Sequence, residues 1–161
     1  MVENGFAEKV CSLYVNNMHL IVMLIPYIER ELEKGRKIVT ILEDDLEGEV
    51  KTLINKVHLP KRKKERLCKI NWKKNILPWG KMSELKNKIV LVNGSFEFVK
   101  KVNECLGSGV YRVINCFEIK TFEKNSREIL ENHNKILNTL GEKDISEMFH
   151  KNFNKNSILT K

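Results

Sequence analysis

Residues 9–42 carry an apolar strand pattern, then an amphipathic helix pattern, then a second apolar strand pattern. In the first, Val10, Cys11, Leu13, Tyr14 and Val15 crowd apolar groups onto both sides of an extended chain, as in a strand covered on both faces. In the second, Leu20, Leu24, Tyr27, Ile28 and Leu32 recur at spacings of three and four. A strand over 20–25 is the competing reading, but the helical spacing continues to Leu32 and Gly35 is a suitable stop. Asn16 or Asn17 is placed to cap the helix. Pro26 predicts a kink near Val22 to Pro26. The third stretch, 38–42, is again apolar.

Units of the same kind follow. Glu43, Asp44 and Asp45 stand where a helix N-terminus favours negative charge. Val50, Leu53, Ile54 and Val57 mark a second helix, closed by Pro60. The alternation in 67–72 predicts a third strand, and 89–92 a fourth. Asn93, Gly94 and Ser95 form a turn into a helix with Phe98, Val99, Val102, Cys105 and Leu106 on its apolar face, stopped by Gly107. A fifth strand is predicted over 110–119. A further helix is expected over 126–140, with Ile129, Leu130, His133, Ile136, Leu137 and Leu140 on one side and Gly141 after it. Asp144 and Glu147 suggest a capping box for a short last helix with Met148 and Phe149. Alternating strands and helices predict an α/β three-layer sandwich: a mainly parallel sheet of about five strands with helices on both faces. The length fits one domain, read here as 1–153 with a polar tail over 154–161.

Composition narrows the function classes. The net charge of +8 is concentrated, because residues 61–74 hold eight Lys or Arg and one Glu. Lys61, Arg62, Lys63, Lys64 and Arg66 are thus candidate phosphate contacts for a nucleic acid. A solvated basic loop is the simpler reading, since no aromatics are interleaved. The four cysteines, Cys11, Cys68, Cys105 and Cys116, form no CxxC pair, so neither a zinc site nor a redox motif is expected. Free thiols suit a reducing cytoplasm. The N-terminus lacks signal-peptide character, and the longest apolar run, 20–25, is far short of a membrane span.

No glycine loop with a lysine follows any predicted strand, so ATP hydrolysis and dinucleotide binding are not expected. His19, His58, His133 and His150 have no metal-ligand spacing, and His133 reads as a packed core histidine. No metal, cofactor or catalytic group is expected. In an open α/β sheet, ligands bind at the carboxyl ends of the strands. The loops there would gather Tyr14, Asn16, Asn17, Glu43, Asp44, Trp72, Asn93, Ser95 and Glu118 into a candidate site for a small polar or amphipathic ligand. Helix capping is the plainer role for Glu43 and Asp44, and a turn with N-cap the plainer role for Asn93 to Ser95. Trp79 could be a lid over a pocket or a surface anchor.

Certain stretches resemble the MEDS family, sensory domains of methanogen and methylotroph regulators. They are Val10-Cys11-Ser12-Leu13-Tyr14, Ile25-Pro26-Tyr27-Ile28, and Leu32-Glu33-Lys34-Gly35-Arg36-Lys37. Ile70-Asn71-Trp72 is similar to the family's third strand, and Asn115-Cys116-Phe117 with His133 to its last strand and following helix. The chain departs at Lys9, where the family often has histidine, and in the adjacency of Cys116 and Phe117. The resemblance implies a RecA-like fold without the ATPase loop, in a bacterial or archaeal regulator. It also implies a non-enzymatic role in signal transduction or transcriptional control, with a small molecule or a regulatory protein as partner. A nucleic-acid-associated protein acting through 61–74 is the alternative.

Overall fold

A computed structural model of the chain describes residues 8–75, 84–106 and 109–146. Six strands form one sheet: β1 (Glu8–Tyr14), β2 (Ile38–Leu42), β3 (Ile89–Asn93), β4 (Arg112–Glu118), β5 (Lys135–Asn138) and β6 (Gly141–Asp144). Their spatial order is β2-β3-β4-β1-β5-β6, parallel throughout except for the β5–β6 hairpin. The helices are α1 (Asn17–Glu33), α2 (Glu47–Lys56), α3 (Lys61–Cys68), α4 (Phe96–Cys105) and α5 (Ile119–Glu131). The expected three-layer α/β sandwich with a mainly parallel sheet is the fold observed.

Two cores explain the near-continuous apolar strands. On one face Val10, Tyr14, Leu42, Leu91 and Ile114 pack against α1, α2, Leu67 and Trp72. On the other, Cys11, Ile41, Val90, Val92, Val113 and Phe117 pack against Val99 and Val102 of α4 and Ile129 of α5. Burying a side chain such as Leu24 or Ile28, each fully inaccessible, contributes roughly 1.5–3 kcal/mol.

The Asn16 side chain accepts from the His19 amide at 2.9 Å and starts α1, and Gly35 at φ +84 ends it. Pro26 lies inside α1, which continues past it to Glu33. It lies on the exposed side with Val22, where the carbonyl that its ring leaves unpaired meets water.

The predicted strand over 67–72 is replaced by the end of α3 and a loop. Lys, Arg, Glu and Leu are all good helix formers, and Leu67 gives α3 a buried anchor. The chain then runs beside the outer edge of β2 without joining the sheet. Asn75 Nδ2 donates to the Thr40 carbonyl at 2.7 Å, Asn75 Oδ1 accepts from the Leu42 amide at 2.8 Å, and the Asn75 amide donates to the Leu42 carbonyl at 3.1 Å. Thr40 Oγ1 donates to the Asn71 carbonyl. Covering an edge strand in this way limits its pairing with other chains.

The helix expected over 126–140 is also corrected. Here α5 begins at Ile119 and ends at Glu131, and residues 135–138 are strand β5. Gly141, at φ +117, turns the β5–β6 hairpin and is not a helix stop. Trp79, Gly107, Met148 and Phe149, with the roles expected of them, lie outside the described residues.

Candidate functional site

The direction of strand order reverses at β1. The chain leaves β1 for the far edge at β2, and later passes over β1 to reach β5. The carboxyl ends of β1 and β4 therefore flank the crevice, and Tyr14 pairs in register with Glu118. This is the edge at which the sequence placed a ligand.

Several of the expected residues do meet there. Tyr14 Oη donates to Asn93 Oδ1 at 2.7 Å, with both residues buried. Glu43 Oε1 accepts from the Ser95 amide at 2.7 Å, and the Glu43 amide donates to the Asn93 carbonyl at 2.9 Å. Burial, followed by the charge of neighbours including Glu118 and Asp44, pushes the Tyr14 hydroxyl well above the ordinary tyrosine range. Ser95 caps α4, accepting from the Phe98 amide at 3.2 Å. Asp44 and Glu118 are exposed. Asn16 is occupied as the α1 cap, and Asn17 is the first residue of that helix. Trp72 is elsewhere: it is buried in the α1–α2 core, and its indole donates to the Leu67 carbonyl at 2.9 Å. The edge is therefore polar but largely satisfied by its own hydrogen bonds.

A better-formed concavity lies on the opposite side of β4, between α4 and α5. It encloses about 280 Å³, near the lower end of ligand pockets. Its walls are apolar, from Phe96, Val99, Phe117 and Ile129, and its floor carries Asn103, Asn115 and His133. Asn115 stands between Val113 and Phe117 on the inward face of β4 and is 1% exposed. A buried amide needs partners, and it has them. Asn103 Nδ2 donates to Asn115 Oδ1 at 2.8 Å, Asn115 Nδ2 donates back to Asn103 Oδ1 at 3.0 Å, and Asn115 Nδ2 also reaches His133 Nε2 at 2.9 Å. His133 Nδ1 donates to the Ile129 carbonyl at 2.6 Å. Phe117 meets the His133 ring edge-on at 5.9 Å.

Burial lowers the His133 pKa to about 4, with the nearby Lys9 ammonium acting in the same direction. His133 is thus neutral near pH 7. Lys9 also lines the cavity, and among the described residues its ammonium has no carboxylate within ion-pair distance. At the rim, Lys100 pairs with Glu128 at 3.2 Å, and that carboxylate holds the ammonium above its ordinary range. The lining also carries Glu104, so its two cations, Lys9 and Lys100, stand against two carboxylates, Glu104 and Glu128. A polar floor, apolar walls and this mixed charge suit a small amphipathic molecule whose anionic end lies at Lys9.

Sequence reasoning noticed His133 as a core residue but passed over Asn103 and Asn115 as site residues. One signal was available: an asparagine at a buried position within an apolar strand is costly unless partnered.

The thiols fit packing. Burial pushes Cys11 up to about 12 and Cys116 above the ordinary thiol range, the reverse of an activated nucleophile. Among the described residues no His, Cys, Asp and Glu cluster is placed to hold a metal. The first part of the basic run, Lys61–Cys68, forms α3, and none of residues 61–66 is buried. Glu33 takes Arg66 at 2.5 Å and Arg62 at 3.6 Å. No helix of the described residues is long and apolar enough to cross a membrane.

No protein-family model matches the chain, and no curated protein matches it.

Proposed function

We propose that the chain is a non-enzymatic sensory or regulatory domain that takes a small amphipathic anion into the cavity between α4 and α5. The observation that carries this reading is a cavity whose floor is a closed network of Asn103, Asn115 and His133. The network spends its donors on its own members and the Val99 and Ile129 carbonyls, so it fixes the shape of the floor and leaves polar recognition to Lys9. Lys9 would meet the anionic end, and Phe96 and Phe117 the apolar body. The similarity of residues 10–14, 25–28, 32–37 and 115–117 to the MEDS family supports the sensory half of the reading, as does the absence of a lysine-bearing glycine loop after β1 in the sequence.

Phe96 and Phe117 are each one residue from Ser95 and Glu118. A ligand against these rings would therefore bear on the carboxyl edge first expected to bind it. Thermal-shift screening with small carboxylic acids tests the proposal. Stabilising acids should lose their effect in Val99→Phe, which fills the cavity, and in Lys9→Ala, which removes the cation. They should keep it in Tyr14→Phe. Stabilisation that survives the first two changes and disappears in the third would return the site to the carboxyl edge.

A further inference from the structure

On the outer side of β2 a second groove, of about 480 Å³, runs between the end of α1, the strand edge and the residues after α3. Its cationic lining includes Arg36, Lys37, Lys69 and Lys88. None of these four is ion-paired among the described residues. Arg36 is further held with its guanidinium 3.8 Å over the Tyr111 ring.

The floor of this groove is main chain. The Lys37 carbonyl accepts from the Ile89 amide, and the Glu43 amide donates to the Asn93 carbonyl. In a parallel ladder this register turns the backbone groups of residues 37, 39, 41 and 43 toward β3, and those of 38, 40 and 42 outward. Asn75 takes both outward groups of Leu42 and the Thr40 carbonyl. Among the described residues nothing pairs with the Ile38 amide, the Ile38 carbonyl or the Thr40 amide. The edge cover reaches Thr40, which is buried and bonded through its hydroxyl to the Asn71 carbonyl, so the uncovered part of β2 is at Ile38 and lies in the basic groove.

The geometry points to an interaction surface for an acidic peptide segment, which pairs with β2 through the amide and carbonyl of Ile38 as a short extra strand. Strand addition draws affinity from main-chain hydrogen bonds and specificity from the flanking side chains. The mixed donor and acceptor edge favours a peptide over a nucleic acid. A phosphate backbone offers only acceptors and would leave the Ile38 carbonyl without a donor, whereas an extended peptide supplies both. Four unpaired cations select glutamate or aspartate at the flanking positions. This surface is independent of the cavity between α4 and α5 and would give a regulatory domain a docking edge of its own.

Titration of the full chain with an acetylated, amidated Glu-Val-Glu-Val-Glu peptide, followed in the ¹H–¹⁵N spectrum, tests the proposal. The Ile38 amide signal should move at low salt. Binding should weaken about tenfold or more when the peptide is N-methylated throughout at unchanged charge, and likewise in the Lys37→Glu, Lys69→Glu double variant. The spectrum of that variant away from the groove serves as the check that it folds. Shifts confined to other residues would overturn the proposal, as would equal binding of the N-methylated peptide. A short oligothymidylate that binds the same residues more tightly, with a steep loss on adding salt, would assign the groove to nucleic acid and also refute it.

Discussion

Asn115 Nδ2 donates to His133 Nε2 at 2.9 Å, and this contact sets the tautomer of the histidine. With Nε2 accepting, the ring proton sits on Nδ1 and is given to the Ile129 carbonyl. Both amide hydrogens of Asn115 are then used, one on His133 and one on Asn103. Protonating Nε2 breaks this arrangement, because two donors would face each other in a buried space.

Stability should therefore depend on pH through His133. Its folded-state pKa is about 4 against an ordinary 6.5. Between those values the unfolded chain binds more protons than the folded one. Stability is thus retained above pH 6.5 and falls as pH drops toward 4. The share due to this group is up to about 3 kcal/mol. Urea unfolding at several pH values should show the slope, and His133→Gln should flatten it across that window. An identical slope in the variant would remove His133 as the cause.

Gly94 allows a close approach that other residues would block. A Cβ built there would lie 2.6 Å from Phe98 Cδ2 and 2.8 Å from Glu43 Cβ. Glu43 Cβ is near its backbone and cannot swing away, so the β2 and β3 loops would have to part. Gly94→Ala should cost roughly 1–3 kcal/mol and lose the Glu43–Ser95 contact. Chemical denaturation reads the cost, and the Ser95 amide shift reads the contact.

Tyr14→Phe deletes a buried hydroxyl and leaves Asn93 Oδ1 without that partner. A loss of about 1–3 kcal/mol is expected. In the wild-type chain the Tyr14 phenol should stay protonated above the pH at which an ordinary tyrosine ionises. A spectrophotometric titration compared with Tyr14→Phe isolates that signal.

Asn75→Ala removes the side chain that bridges the Thr40 carbonyl and the Leu42 amide. Two net hydrogen bonds amount to roughly 1–3 kcal/mol. The variant should also self-associate more readily, because a longer stretch of β2 edge becomes available. Light scattering at increasing concentration would show this, and a monodisperse variant of unchanged stability would contradict it.

The parallel sheet was legible because β1 to β4 are apolar on both faces, a pattern few other folds require. Residues 67–72 misled because Leu67, Ile70 and Trp72 are apolar for separate reasons: one anchors α3, one borders the basic groove, and one fills the α1–α2 core. β5 was hidden because Ile136 and Leu137 continue the spacing of Ile129 and Leu130, although Asn132 to Asn134 carry the chain out of the helix. At the carboxyl edge the sequence brought together Tyr14, Asn93, Glu43 and Ser95, but spacing alone did not show that they would satisfy one another. The Asn103–Asn115–His133 network joins α4, β4 and the end of α5, and such contacts are set by packing and not by local pattern.

A ¹H–¹⁵N spectrum of the chain recorded against a library of small carboxylic acids tests the central claim most directly. The predicted result is that binding acids shift the side-chain amide signals of Asn103 and Asn115 together, and that Val99→Phe abolishes these shifts while the rest of the spectrum holds. Binding acids that leave both amides unmoved, or that shift them equally in Val99→Phe, would contradict the assignment of the cavity between α4 and α5 as the ligand site.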